Sequence, residues 1–258
     1  MWSRLALVLT LAVLAGCSRV DRARIFSPNV PLTPEEQTIC EQLRLDPETM
    51  SDLKGRQLFT FTPSEVDMYL RFARRTHPDL RERLAHLGRK NIGQPYAIYL
   101  LGEFPYEIFD EQPLFCLDHS DCVVFSEHTY AMTLAHDWPS FFRILQRLRY
   151  RDGEIGYLTR NHWTERDWDQ NNSWLIEDIN ERIGGGDAWR TYDQELKRNV
   201  FFMRRAGIGA DLATEEHTFS YIPVENLEQV LPDLRTGDFV NVIRGTEEAG
   251  WAGHTGLI

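Results

Sequence analysis

Positive charge is scarce in this chain. Lys and Arg number 28 against 39 Asp and Glu, for a formal net charge of −11. An acidic surface of that size repels phosphate backbones and anionic lipid heads, which argues against nucleic acid as a partner and against adsorption to an acidic membrane face. Long apolar runs are missing too. The segment Leu5–Ala15 is almost wholly apolar but too short to cross a bilayer as a mature helix. There is no internal repeat and no low-complexity block. Cysteine is sparse, at four, and no two Cys/His pairs stand at the spacing of a structural zinc site.

What is present starts at the N-terminus. Arg4 supplies a short positive region ahead of Leu5–Ala15, as in a secretory signal. The run Leu14-Ala15-Gly16-Cys17 resembles a bacterial lipobox, with cleavage before Cys17 and a diacylglyceryl group on its thiol. Residues 1–16 are then a signal peptide and 17–33 a lipidated tether carrying Pro28 and Pro31. Several acyl chains make a stable anchor. The expected address is the cell envelope, lipid-anchored on the periplasmic face. Ser18, where an Asp retention signal would stand, points to the outer membrane if the envelope has one.

With Cys17 lipidated, Cys40, Cys116 and Cys122 remain. An odd count in an oxidising compartment suggests one disulfide and one free thiol. If Cys122 is free for chemistry, Cys40–Cys116 is the pair left.

Helix signals dominate the first half. Thr33-Pro34-Glu35-Glu36 and Thr62-Pro63-Ser64-Glu65 are helix starts, and a basic helix is expected over Asp79–Lys90. Cys122–His136 reads as the best helix, mostly buried, and Asp137 caps a second one over Trp138–Leu148. Residues 154–192 read as irregular. Phe239–Ile243 and Ala252–Ile258 read as neighbouring strands. Helices first and strands last predict an α+β fold.

The chemistry centres on Cys122 and His254. A thiol at a helix N-terminus lies where the backbone dipole favours negative charge, and free N–H groups there can bind an oxyanion. A histidine on a late strand can take the thiol proton and return it to a leaving amine. The bland alternatives are a buried small residue at a helix start and a strand histidine satisfied by backbone.

The order Gly93-Gln94-Pro95-Tyr96, Asp121-Cys122, Thr236-Gly237-Asp238-Phe239 and Gly253-His254-Thr255-Gly256-Leu257 resembles the NlpC/P60 superfamily of papain-like cysteine peptidases and amidases. Tyr150-Arg151-Asp152-Gly153, Thr159 to Trp163 and Glu177 to Gly185 sharpen the resemblance toward DUF1460, an N-acetylmuramoyl-L-alanine amidase-like branch. The resemblance implies a papain-like α+β fold, with the nucleophile's helix packed on an antiparallel sheet. The resemblance covers about residues 90 to 258, and the expected amidase domain is 34–258, with an N-terminal helical segment 34–90 and a catalytic core 91–258. Cys122, His254 and Tyr96 become the catalytic group. Arg160, Asn161 and His162 become substrate contacts, Arg being suited to a bidentate carboxylate bond. Asp121 counts with them, although its carboxylate also suits a helix cap. The alternative for the Arg160 segment is hydrogen bonding that stabilises a loop. Trp163, Trp168 and Trp174 could stack on sugars, but packing is favoured for at least two of them.

The implied partners are peptidoglycan fragments, cut by a monomer between N-acetylmuramic acid and L-Ala. Alternatives are a γ-D-Glu-diamino acid endopeptidase and a non-catalytic cell-wall-binding lipoprotein. No cofactor and no metal are expected. Cys116, His119, Asp121, Cys122 and His128 crowd together, but Cys116 and Cys122 stand too far apart in sequence for a zinc pair. In the superfamily a third catalytic group, which orients the histidine, comes from the strand after the histidine strand. The chain reaches Ile258 soon after His254, so an incomplete C-terminus is also expected.

Overall fold

Thr33 and Thr62 each open a helix by the same chemistry. Each hydroxyl accepts from the backbone N–H three residues on, and the Glu there returns a bond to the threonine N–H. The computed structural model describes residues 29–258. The segment expected to be a signal peptide, Cys17 and most of the expected tether therefore lie outside the described residues. No described helix is long and apolar enough to cross a membrane.

Four helices come first: α1 Pro34–Leu43, α2 Pro47–Gly55, α3 Pro63–Thr76 and α4 Leu80–Arg89. After a long loop come α5 Cys122–Leu134 and α6 Trp138–Arg149. An irregular helical turn spans Thr164–Asn171. It is followed by α7 Asn180–Gly184, strand β1 Arg190–Lys197, α8 Arg198–Ala206 and strand β2 Thr214–Tyr221. The short α9 Leu227–Val230 leads to β3 Phe239–Thr246 and β4 Ala249–Leu257. Helix and sheet are mixed, with helices leading, as an α+β reading requires. The strands form two antiparallel pairs, β1 with β2 and β3 with β4. The expected single sheet is thus divided among the described residues. The two pairs abut where β1 meets β4. There Gly250 lies so close to the Tyr192 ring that any Cβ would clash.

The core is helical. Tyr69, Leu70 and Ala73 of α3 pack with Tyr130, Ala131 and Met132 of α5 and with Phe141, Leu145 and Leu148 of α6. Helix α5 is buried nearly all round, so its polar side chains need partners inside. Ser126, Thr129 and Thr133 donate to the carbonyls of Cys122, Phe125 and Thr129, one turn back. Glu127 is 1 % exposed and bonds Arg149 and the Trp168 indole N–H. Tyr130 donates to the carbonyl of Gly237 at 2.7 Å, which ties α5 to the turn entering β3. Gly237 takes φ +87°, where a side chain would be strained.

Asp169 lies under β3. Its Oδ2 accepts from the Asn241 amide at 2.8 Å, and its Oδ1 has no partner. Burial, and then the charge of Glu165, push its carboxyl up to about 8. A group raised in the fold costs stability from its unfolded value upward, reaching the full cost above its folded value. Asp169→Asn keeps the shape and removes that cost. It should raise Tm by at least ~5 °C at pH 9 and by under ~2 °C near pH 4. Scanning calorimetry of both proteins at the two pH values reads the difference. An equal shift at both would rule out ionisation as the cause.

Candidate active site

Cys122 is the first residue of α5, and Asp121 caps the helix with its Oδ1 accepting from the Val124 N–H at 2.8 Å. The Asp121 carboxylate is thereby committed to the helix end. The first-turn N–H groups lie beside the half-buried thiol.

Four bonds clamp the Gly93–Tyr96 motif against the residues leading into α5. Ser120 N–H donates to the Pro95 carbonyl and Ala97 N–H to the Ser120 carbonyl, each at 3.1 Å. The Ser120 hydroxyl donates to Gln94 Oε1 at 2.9 Å, and Gln94 Nε2 donates to the Leu117 carbonyl at 2.8 Å. The Tyr96 phenol is brought beside Cys122 by this clamp. Its pKa is raised by partial burial first, then by the negative charge of a Cys122 thiolate and of Asp121. Tyr96 is 65 % exposed, so the hydroxyl faces an open surface.

His254 stands on β4 opposite Val242, next to a bulge at Gly253 that shifts the following pair to Ile243 and Ala252. Its side chain is exposed. Strand β4 packs on α5, but among the described residues no hydrogen bond joins His254 to Cys122. The structure thus brings Cys122, Asp121 and Tyr96 together and leaves the His254 side chain, on the neighbouring strand, with no hydrogen bond among the described residues.

Arg160, Asn161 and His162, expected as ligand contacts, each make bonds within the chain. Arg160 bonds Glu103 Oε2 at 2.6 Å and Asp110 Oδ2 at 3.0 Å, so its fork is already filled by carboxylates of this chain. Asn161 donates to the Leu148 carbonyl and accepts from Asn171. His162 Nε2 bonds the Tyr157 carbonyl at 2.7 Å, inside a ring of Tyr157, Trp163, Phe201 and Phe202. Burial pushes its imidazole down to about 3. The physical reason is local. The Gly102–Asp110 loop supplies acceptors that sequence spacing does not reveal. Trp168 is buried and Trp163 packs on Phe201, whereas Trp174 is 41 % exposed beneath Arg147.

Sequence reasoning missed Glu103, Glu127 and Arg149. Glu103 is fully buried, accepts from Tyr150 and Arg160, and is raised chiefly by burial. No motif marks these residues, because their partners are distant along the chain.

Cys40 and Cys116 are both free thiols, which corrects the expected pair. Cys40 is sealed in the α1 core, and Cys116 lies in the loop before α5. Burial pushes both thiols up. Iodoacetamide at mildly acidic pH should therefore alkylate Cys122 before either, as read by peptide mass spectrometry. Labelling of Cys116 or Cys40 first would contradict a reactive helix-start thiol. The expected crowd of metal-type residues is also redistributed. Asp121 caps α5, while His128 bonds the Val124 carbonyl and accepts from the Cys116 N–H.

A buried helix headed by a capped cysteine and packed on an antiparallel strand pair makes this an α+β protein. Residues 86–258 match the family described as AmiA-like, N-acetylmuramoyl-L-alanine amidase-like, and the chain belongs to that family. A Legionella pneumophila protein of DUF1460 is similar in structure, with a TM-score of 0.63 at 20 % identity over 75 % of this chain and 79 % of its own. An N-acetylmuramoyl-L-alanine amidase from Bacteroides uniformis aligns with a TM-score of 0.53 at 23 % identity, covering 69 % of this chain and 79 % of its own. At those identities the likeness is one of fold. A comparison with curated proteins gave no match. Family membership supports a hydrolase acting on peptidoglycan-related amides.

Proposed function

We propose that the protein is a cysteine amidase of the NlpC/P60 type that cuts muropeptides between N-acetylmuramic acid and L-Ala. Cys122 sulfur attacks the lactyl carbonyl, and its proton passes to His254. The first-turn N–H groups of α5 receive the developing oxyanion, with the Tyr96 hydroxyl beside it. Collapse of the tetrahedral adduct breaks the C–N bond as His254 protonates the L-Ala amine. Water then hydrolyses the thioester and frees Cys122. The histidine bond to the thiol forms in the substrate complex, since such bonds are commonly loose without ligand. Cys17 would tether the domain to the envelope membrane, where this substrate lies.

The observation that carries this reading is Cys122 at the capped start of a buried helix inside the family-matched stretch, with Tyr96 clamped beside it. Incubation with a defined disaccharide-peptide, followed by mass spectrometry, tests it. Free sugar and an intact stem peptide beginning with L-Ala are expected. A fragment beginning at the diamino acid would replace the amidase assignment with an endopeptidase. No cleavage at all would leave binding as the function and refute the catalytic reading.

A further inference from the structure

The loop just before α5 gathers three different ligand types. Cys116 Sγ lies 3.1 Å from Asp118 Oδ1, and His119 Nδ1 lies 3.2 Å from Asp118 Oδ2. One donor atom from each residue falls within 4.8 Å of the other two. Around a tetrahedral zinc ion, with bonds of about 2.0–2.3 Å, neighbouring donors stand roughly 3.3–3.5 Å apart. The two short contacts end on different oxygens of Asp118, so its carboxylate would turn to offer one oxygen as the set closes around an ion. Its donor set is one sulfur, one imidazole and one carboxylate. A thiolate ligand disfavours hard ions such as Mg²⁺ and Ca²⁺, and the mixed set suits Zn²⁺ and its analogues.

The loop is also pinned at both ends. Cys116 N–H donates to His128 Nε2 on α5 at 3.4 Å, and Ser120 is fixed by Gln94 and Pro95. The Asp118 and His119 side chains are 74 % and 42 % exposed, which gives an ion access and leaves a fourth position to water. A pairing of Cys residues by spacing cannot find this set, because its middle ligand is an aspartate.

We propose that Cys116, Asp118 and His119 form a binding site for a borderline transition-metal dication of the Zn²⁺ class. The site shares no residue with the Cys122 group yet lies on the segment that leads into it, through Ser120 and Asp121. An ion there would hold together the loop that also clamps Tyr96.

Cobalt reports on the site without any activity assay. In the Cys122→Ser chain, one Co²⁺ per molecule should bind with a thiolate-to-metal charge-transfer band in the near ultraviolet. Adding Cys116→Ser should abolish the band. Asp118→Asn and His119→Ala should each weaken Zn²⁺ affinity, measured by competition with a chromophoric chelator, by at least ~10-fold. Melting curves of the metal-free variants should match the parent, which separates ligand loss from unfolding. The proposal is overturned if Cys122→Ser shows no band, if the band survives Cys116→Ser, or if the Asp118 and His119 variants hold Zn²⁺ as tightly as the parent.

Discussion

Cys122→Ala lowers the release of stem peptide from muropeptides by at least about 10⁴-fold, while the melting temperature stays near that of the parent. Removing a nucleophile from a catalytic set costs rate factors of that order, because the remaining groups cannot substitute for it. The fold should be indifferent. Cys122 is small and half-buried, and the helix cap belongs to Asp121, whose bond to the Val124 N–H does not involve the thiol. Chromatographic assay of released peptide, with a thermal melt of the same sample, checks both halves. Retained turnover would remove Cys122 from the mechanism. Lost turnover with a collapsed melt would leave the role of Cys122 as packing.

Arg149→Met should destabilise the fold strongly. Arg149 bonds Glu127 Oε2 at 3.3 Å and the Leu101 carbonyl at 2.9 Å, and the Glu127 side chain is 1 % exposed. Deleting one partner of a buried pair leaves the other charge uncompensated, at a cost of about 3–5 kcal/mol. Glu127 is already raised, burial being the main cause and Arg149 the main opposing influence. Without Arg149 it rises further, so the variant's deficit should grow as pH increases through neutrality. Urea titrations at pH 5 and pH 8 measure that growth. Adding Glu127→Gln should recover part of the loss at the higher pH and little at the lower. A deficit independent of pH would show that lost packing, not an orphaned charge, is responsible.

Local signals carried the helices and the hairpin. Thr33, Thr62, Asp79, Asp121 and Asp137 all cap helices, since capping is a property of neighbouring residues. The strands β3 and β4 follow from short apolar runs on either side of a turn. The β1–β2 pair was hidden because its register joins residues far apart: Arg190 meets Tyr221, and Lys197 meets Thr214. Both strands are rich in polar residues that a periodicity argument reads as loop. The site divides along the same line. Asp121 and Cys122 are adjacent in sequence, and Tyr96 reaches them through a motif of its own. Nothing near Arg160 in the sequence shows that Glu103 and Asp110 fold back onto it. A count of thiols carries no distances, and Cys40 and Cys116 are both free. Cys40 belongs to the core packed around α3, and Cys116 to the loop held by His128.

The most direct measurement is intact-protein mass spectrometry of the chain quenched during turnover of a defined disaccharide-peptide. An amidase must pass through a thioester on Cys122 that carries the muramoyl sugars and no amino acid, because the L-Ala amine has already left. Digestion should place that mass on the peptide containing Cys122. An adduct that retains L-Ala and D-Glu, or one attached to a different residue, would contradict the proposed reaction.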